Sequence, residues 1–203
     1  MTKRVIVSGA SGFTGRAVLK DFVSKGWEVI AIVRKPSGLK NELIIDLSKQ
    51  SCFQSLLSIP RCDAIIHLAS KVDFSSDADP DSFIPTNVLL TTYLSQLAKQ
   101  WSSHLVFTSG ILVYGDMEHI DIFSAPQPNN EYGKAKLIAE SIIKSEKISH
   151  TILRIAGIYG YMLGFCDLAW AIKCLNGEKL PDIKDNLKGT AFRLSREVLK
   201  PFS

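Results

Sequence analysis

The 203-residue sequence contains no run of about 18 or more apolar residues, so no membrane-spanning segment is expected. It also lacks any dense run of Lys and Arg, and its basic residues are not interleaved with aromatic ones. Nucleic-acid binding is therefore not predicted, although the formal net charge is +4. A solvated surface is the usual cause of such a mild excess, and an anionic small-molecule ligand would also suit it.

Cysteine is sparse and its spacing fits no metal motif, so no metal site is predicted. The four cysteines are Cys52, Cys62, Cys166 and Cys174. Reduced thiols in a cytosolic protein are the usual explanation of this pattern. Because a strand is predicted almost at the N terminus, we expect no signal peptide and a cytoplasmic location.

Strand and helix patterns alternate along the first 160 residues. Strands are predicted at residues 5–7, 28–33, 43–45, 64–68, 105–108 and 151–154. Helices are predicted at 16–25, 48–58, 82–101 and 132–147, with Pro85 in the first turn of the third. This alternation is typical of an α/β fold with a doubly wound parallel sheet, which binds ligands at the carboxyl ends of its strands. Residues 161–203 show weak periodicity, so we expect a domain over 1–160 and a short, partly irregular C-terminal segment.

Three glycines follow the first predicted strand, in Gly9-Ala10-Ser11-Gly12-Phe13-Thr14-Gly15. Strand, glycine turn and helix form the context that a dinucleotide-binding fingerprint requires. Gly9 would allow a tight turn, Gly12 a close approach of backbone to pyrophosphate, and Gly15 close packing of helix on strand. The amides and the dipole at the helix start would bind the phosphates. The spacing differs from the commonest Gly-x-Gly-x-x-Gly, and a glycine-rich turn without a ligand is the alternative.

Tyr132 and Lys136 lie four residues apart in a predicted helix, which places both side chains on one face. A free phenol, with a pKa of about 10, is a poor base at neutral pH. We expect the Lys136 ammonium to lower the pKa of Tyr132, so that the pair acts as a general acid or base. Such a pair also arises often by chance, and the distant glycine loop is what gives it weight.

The remaining motifs follow in a specific order. They are Asp46-Leu47, His67-Leu68-Ala69-Ser70, Asn87, Thr108-Ser109-Gly110, Val113-Tyr114-Gly115, Tyr132-Gly133-Lys134-Ala135-Lys136, Leu153-Arg154 and Ile158-Tyr159-Gly160. Each is weak alone, but in this order residues 1 to about 160 resemble the extended short-chain dehydrogenase/reductases, the group of NAD-dependent epimerases and dehydratases. The resemblance implies a Rossmann-like NAD(P)-binding domain.

The resemblance also implies a role for each matching position. The pyrophosphate loop would comprise Gly9, Ser11, Gly12, Phe13 and Gly15. Asp46 and Leu47 would contact the adenine, and Leu68 and Ala69 would lie beneath the cofactor. Tyr132 would be the catalytic acid/base, while Lys136 would hold the nicotinamide ribose and tune Tyr132.

Three of these polar positions have ordinary structural explanations. Asp46 is equally well explained as a cap or turn residue. His67 lies in an apolar strand, where a satisfied core histidine is more common than a catalyst. Asn87 more often bonds to backbone than to a ligand.

Gly110 departs from the family pattern, which commonly has Ser or Thr there to bind the substrate oxygen. Thr108 has the same strand parity and is a candidate replacement, and Ser109 is another if the chain turns there. Loss of a donor aimed at a developing oxyanion costs about 100-fold or more in rate.

The C-terminal segment is also shorter than the family's usual substrate region. Three explanations stay open: a naturally short member, a truncated product, or a site completed by oligomerisation. In similar proteins the helices at 82–101 and 132–147 form a dimer interface, so a homodimer is expected.

No Asp or Glu stands at the end of the second predicted strand, where NAD sites of this type place one for the ribose hydroxyls. Arg34 and Lys35 stand there instead and would pair with a ribose phosphate. We therefore favour NADP over NAD, with an exposed basic turn as the alternative.

The sequence thus predicts an NAD(P)-dependent oxidoreductase, epimerase or dehydratase acting on a nucleotide sugar or a similar hydroxyl or carbonyl compound. The competing hypothesis is a non-catalytic NAD(P)-binding sensor or partner protein, which Gly110 and the short C-terminal segment favour. A related protein that has lost cofactor binding is a third hypothesis, and the intact glycines oppose it.

Overall fold

Six parallel strands form one sheet in the computed structural model, which describes residues 2–45, 52–156 and 158, with only the backbone at 52 and 53. The strands are β1 (Arg4–Ser8), β2 (Glu28–Val33), β3 (Glu42–Ile44), β4 (Ala64–His67), β5 (His104–Gly110) and β6 (His150–Ile155). Their order is β3-β2-β1-β4-β5-β6, and each neighbouring pair is parallel. The predicted doubly wound sheet is confirmed. The order reverses between β1 and β4, so their carboxyl ends flank the crevice in which such sheets bind ligands.

Helices cover both faces of this sheet. They are α1 (Phe13–Ser24), α2 (Cys52–Leu57), α3 (Leu90–Trp101) and α4 (Glu131–Ser145). Within β1, Ile6 packs in a cluster with residues of α2, α3 and α4, whereas Val5 and Val7 pack with residues of α1. All three side chains are fully buried. Burial on both faces explains why β1 is a continuous apolar run rather than an alternating one.

The start of α4, which carries the predicted acid/base pair, is fixed by a side-chain cap. The amide of Gly133 donates to Asn130 Oδ1 at 2.8 Å, and Glu131 lies in the first turn, where the helix dipole favours negative charge. Ala139 and Ile143 are fully buried in the cluster beneath the sheet. The cap sets where α4 begins, and the buried stripe sets which face meets the sheet.

The segment predicted as one α-helix over 82–101 contains three types of helix. A 3₁₀ turn at Pro80–Phe83 and a π-helix at Ile84–Leu89 precede α3. The prediction was wrong for the first half because Pro85 has no N–H to donate and its ring clashes with a regular preceding turn. Asn87 lies inside the π-helix and is buried. Single π turns are frequent near functional sites, and this one lies beside the candidate site described below.

The other predicted strands and helices lie within a few residues of their positions in the structure where those residues are described. Residues 46–51, and with them the start of the helix predicted at 48–58, lie outside the described part of the chain, as does the segment 161–203. Within the described residues, no helix has the length and apolarity needed to cross a bilayer.

Candidate functional site

The glycine loop joins β1 to α1 in a conformation that leaves no room for side chains. Gly9 has φ +71°, and a Cβ there would lie 2.8 Å from the backbone nitrogen of Ala69. A Cβ on Gly15 would collide with the carbonyl oxygen of Gly9. The end of β1 therefore touches both the start of α1 and the chain just after β4, as expected of a dinucleotide loop.

The N terminus of α1 is equipped to receive an anion. Gly12 occupies the N-cap position and has no side chain to accept the first amides, and the first turn of this fully described helix has no acidic residue. Free amides at a helix N terminus, together with the dipole, bind phosphate groups. The loop residues present thus fit the pyrophosphate of a dinucleotide.

A buried polar chain ties the glycine loop to the π-helix. Ser8 Oγ lies 2.7 Å from His67 Nδ1, His67 Nε2 lies 2.9 Å from Thr91 Oγ1, and Thr91 donates to the Asn87 carbonyl at 2.8 Å. A neutral imidazole protonated on Nε2 satisfies every group in this chain. Burial lowers the pKa of His67 to about 3, which agrees with a neutral ring. His67 is therefore the satisfied core histidine that its apolar strand suggests.

The side chain of Asn87 clamps the segment after β4. Its Oδ1 accepts from the backbone nitrogen of Lys71 at 2.8 Å, and its Nδ2 donates to the Lys71 carbonyl at 3.1 Å. Asn87 thus forms hydrogen bonds to backbone, which is the structural alternative to ligand binding that the sequence suggested. Leu68 and Ala69, just before this segment, each donate a backbone N–H to Ser8 Oγ at 3.2 Å. Ser8 thus holds the start of the segment predicted to lie beneath a cofactor, and Asn87 holds its end at Lys71.

Tyr132 and Lys136 lie together at the carboxyl end of β5. Lys136 is 2% exposed, and its Nζ donates to the Thr108 carbonyl at 2.7 Å. The same Nζ lies 4.7 Å from the ring centroid of Phe107 and 5.8 Å from that of Tyr132. The two side chains therefore share one helix face and one end of the sheet, as the spacing predicts.

The pKa of Tyr132 moves in the opposite direction to the sequence-based expectation. Burial raises it above its ordinary value, and a hydrogen bond with Ser70 opposes that rise. Burial also lowers the pKa of Lys136 to about 8, with the charge of Glu140 opposing the change. The expectation that Lys136 lowers the Tyr132 pKa is corrected here, because the ammonium is directed at a backbone carbonyl and the phenol is desolvated.

Thr108 and Ser109 are engaged away from the phenol. Thr108 Oγ1 donates to the His67 carbonyl at 3.1 Å, and Ser109 Oγ donates to Glu140 at 2.6 Å. β5 stays paired with β6 through Gly110, so the turn that would re-aim Ser109 does not occur. Within the described part of the chain, neither hydroxyl bonds to Tyr132, and the two residues proposed as replacements at Gly110 serve other contacts.

Glu140 joins α4 to the last two strands. Its carboxylate is fully buried and receives Arg154 Nε at 2.9 Å and Nη2 at 2.6 Å, besides the hydroxyl of Ser109. Arg154 Nη1 also donates to the Tyr114 hydroxyl at 2.6 Å. Such a bidentate pair fixes the carboxylate in both distance and plane. Because Glu140 stands one turn beyond Lys136, it also fixes the height of the acid/base pair above the sheet.

Of the four residues predicted to contact the adenosine half of the cofactor, the structure describes only Arg34 and Lys35. Arg34 and Lys35 are both exposed, immediately after β2, at the carboxyl edge of the sheet. Asp46 and Leu47 lie outside the described residues.

Cys62 is buried and free, and burial raises its pKa to about 12, which makes it an inert thiol. No group of three metal-ligating side chains is found among the described residues.

The sequence-based assignment of site residues omitted Ser70 and Glu140. Ser70 stands in the quoted motif His67-Leu68-Ala69-Ser70; its hydroxyl donates to the Lys71 carbonyl at 3.1 Å, and it opposes the rise of the Tyr132 pKa from a distant part of the chain. Glu140 continues the four-residue spacing of Tyr132 and Lys136 along α4. That spacing was the one available signal for Glu140.

Fold and site together define a Rossmann-like domain of the class that binds dinucleotides. The model of the NAD dependent epimerase/dehydratase family matches residues 5–167, and the chain belongs to this family. Among curated relatives, methionine adenosyltransferase 2 subunit beta of Xenopus laevis is 26% identical over 162 residues, covering 78% of this chain and 48% of the relative. UDP-glucose 4-epimerase of Yersinia enterocolitica is 24% identical over 165 residues, covering 72% and 49%.

Solved structures agree with this placement. MoeE5 in complex with UDP-glucose and NAD superimposes with a TM-score of 0.68 at 27% identity, covering 77% of this chain and 55% of the other. The chain spans about half the length of the curated relatives it matches. The family and the fold are therefore shown, whereas the site residues and the activity are matters for proposal.

Proposed function

We propose that this protein is an NAD(P)-dependent oxidoreductase, epimerase or dehydratase in which Tyr132 is the acid/base and Lys136 its partner. The observation that carries the proposal is the placement of a buried ammonium and a phenol at the carboxyl end of β5. They stand at the same edge of the sheet as a glycine loop that fits a pyrophosphate. A binding module alone has no need of a buried lysine beside a phenol, because burying that charge is costly.

Tyr132 and Lys136 would have different roles in the proposed reaction. A bound nicotinamide supplies hydride transfer to or from a carbinol or carbonyl carbon. The Tyr132 oxygen would take the hydroxyl proton in the oxidative direction and return it in the reductive one. Lys136 would hold the nicotinamide ribose, and its positive charge would favour the phenolate once the ammonium is drawn toward the ligand. Phe74 and Phe83 pack against the Tyr132 ring, and Phe83 is buried.

The substrate class we propose is a nucleotide sugar or a similar hydroxyl or carbonyl compound. UDP-glucose 4-epimerase and MoeE5, whose descriptions name UDP-glucose, support this choice. The division into a cofactor-binding domain over 1–160 and a short segment over 161–203 is proposed with it. So is a homodimer through the outer faces of α3 and α4, where Ile138 of α4 is 50% exposed.

For the cofactor we propose NADP over NAD. Arg34 and Lys35 stand exposed after β2, where a guanidinium would pair with a ribose phosphate. The MoeE5 structure holds NAD, so the preference rests on these two side chains alone.

Calorimetric titration of both cofactors into the full chain tests this preference. Arg34→Ala is expected to weaken NADP binding by about tenfold, the loss of one charge-assisted contact, and to leave NAD binding unchanged. Lys40→Ala, in the same exposed loop, is the matched control. Tighter binding of NAD than of NADP by the unmodified protein contradicts the proposal.

A second function, a non-catalytic NAD(P)-binding partner protein, is favoured by one specific observation. Gly110 has no hydroxyl, and Thr108 and Ser109 are bonded elsewhere. The relatives named as subunits of methionine adenosyltransferase are in keeping with such a role.

Replacing Tyr132 by Phe separates the two functions. In the enzyme, Tyr132→Phe abolishes turnover of a nucleotide-sugar panel with either cofactor while cofactor affinity is kept. Tyr93→Phe, which removes a phenol hydroxyl from α3, is the control and retains turnover. An unmodified protein that binds cofactor, turns over no member of the panel and is captured by a partner enzyme supports the alternative.

A further inference from the structure

Lys71 places an ammonium close to the predicted acid/base pair. It stands in the segment that follows β4, which ends at His67. The Lys71 Nζ lies 5.4 Å from the ring centroid of Phe83. That ring is buried and lies 6.5 Å from the ring of Tyr132. One aromatic ring therefore stands between a cation and the phenol, beside the crevice in which a sheet of this order binds ligands.

The main chain of Lys71 is held by three hydrogen bonds. Its N–H donates to Asn87 Oδ1 at 2.8 Å. Its carbonyl accepts from Asn87 Nδ2 at 3.1 Å and from Ser70 Oγ at 3.1 Å. Asn87 itself is buried in the π-helix. Because the backbone is already ordered, only side-chain freedom is lost when the ammonium binds a ligand, and this lowers the cost of binding.

The Lys71 ammonium has no carboxylate partner in the described part of the chain, where the ion pairs all involve other side chains. The acid nearest in sequence, Asp73, feels the charge of Lys71. However, Asp73 Oδ1 accepts the N–H and the hydroxyl of Ser75, at 3.1 and 2.6 Å. A half-buried ammonium without an internal partner is available to an anion from outside the chain.

The anion could come from the cofactor or from the substrate. The cofactor's pyrophosphate already has a fitting place at the start of α1, where the amides after Gly12 are free of side-chain caps. Lys71 instead shares the Phe83 ring with Tyr132, whose oxygen would meet the reacting group of the substrate. This arrangement favours the substrate as the source.

We propose that Lys71 binds an anionic group of the substrate, a phosphate or a carboxylate, while the substrate's hydroxyl or carbonyl group meets Tyr132. The inference rests on the proposed function and sharpens its substrate class to compounds that carry such a group, of which the diphosphate of a nucleotide sugar is one. An ammonium has three donors and no fixed fork geometry, so it holds a phosphate as a point charge.

Calorimetric titration of inorganic pyrophosphate and of UDP-glucose tests this contact. The full chain is first saturated with oxidised cofactor, so that the glycine loop is filled. Lys71→Met removes the ammonium and keeps the length of the side chain, Lys71→Arg keeps the charge, and Lys20→Met, at an exposed lysine on α1, is the matched control. Lys71→Met is expected to weaken the binding of both probes by about tenfold or more, the loss of one charge-assisted contact, whereas the other two variants retain it.

The affinity for the cofactor distinguishes the two sources of the anion. It is expected to be the same in Lys71→Met as in the unmodified protein. In turnover of UDP-glucose, Lys71→Met should raise KM by about tenfold and leave kcat unchanged, because the contact is made equally in the ground state and the transition state. A loss of cofactor affinity with UDP-glucose affinity kept would assign Lys71 to a cofactor phosphate and overturn the inference.

The binding measurements stand apart from the proposed function. If the unmodified protein turns over nothing, the proposed function has failed, and the two titrations alone decide the role of Lys71. A loss specific to Lys71→Met with either probe then upholds the anion contact. Equal affinities of Lys71→Met and the unmodified protein for both probes overturn it, and so does an unmodified protein that binds neither.

Discussion

Lys136 holds a positive charge on a side chain that is 2% exposed, and this makes the proposed partner of Tyr132 a source of instability. Burial lowers its pKa from an ordinary 10.5 to about 8. The unfolded chain therefore binds the proton between these two pH values while the folded chain does not, so this group makes stability rise with pH across that window. Below pH 8 both states are charged, and the buried charge costs the folded state about 3 kcal/mol.

Lys136→Met is accordingly expected to raise the free energy of unfolding by about 2 kcal/mol at neutral pH. This gain is smaller than the full cost of burying the charge, because the substitution also removes the hydrogen bond to the Thr108 carbonyl. The gain should shrink above pH 8 and vanish near 10.5, where the wild-type lysine is neutral in both states. Urea denaturation across this pH range measures it. Lys134→Met, on the exposed side of the same helix, is the control and should change stability by under about 0.5 kcal/mol. A Lys136→Met variant less stable than wild type at neutral pH would contradict the account.

Among the secondary-structure elements, α4 owes its position over the sheet to Glu140. The carboxylate binds Ser109 of β5 and Arg154 of β6, so one buried side chain joins three elements. Removing one partner of a buried pair leaves the other charge uncompensated, which costs about 3–5 kcal/mol. The Arg154 side chain keeps 22% exposure, which places the expected cost at the low end.

Glu140→Ala is expected to lower the free energy of unfolding by about 3 kcal/mol. The comparison is Glu146→Ala, which breaks the ion pair with Lys99, a side chain that is 63% exposed. That loss should be under about 1 kcal/mol, since a surface pair is screened by solvent. Thermal and urea unfolding measure both variants, and equal losses in the two would refute the role given to Glu140.

For the whole molecule, the doubly wound parallel sheet and the two halves of the site could be read from the sequence, because the alternation of strands and helices and the spacing of the motifs are local patterns. Gly9, Gly12 and Gly15 lie within one turn, and Tyr132 and Lys136 lie within one helix face. The contact between the rings of Phe74 and Tyr132 could not be read this way, because it arises only when the segment after β4 lies against α4 in the folded molecule. The direction of the Tyr132 pKa was missed for the same reason, since burial is a property of the packed molecule.

In the function that we propose, Tyr132 becomes an acid/base when a nicotinamide cofactor binds. Its phenol begins with a pKa raised by burial. An oxidised nicotinamide brings a positive ring, and its ribose would draw the Lys136 ammonium away from the Thr108 carbonyl.

The most direct test is an ultraviolet pH titration of the wild-type protein minus its Tyr132→Phe variant, with and without saturating oxidised cofactor. The cofactor is expected to lower the Tyr132 pKa by about one unit or more, as an opposite charge at close range does. A Tyr132 pKa that is unchanged or higher with the cofactor bound would contradict it.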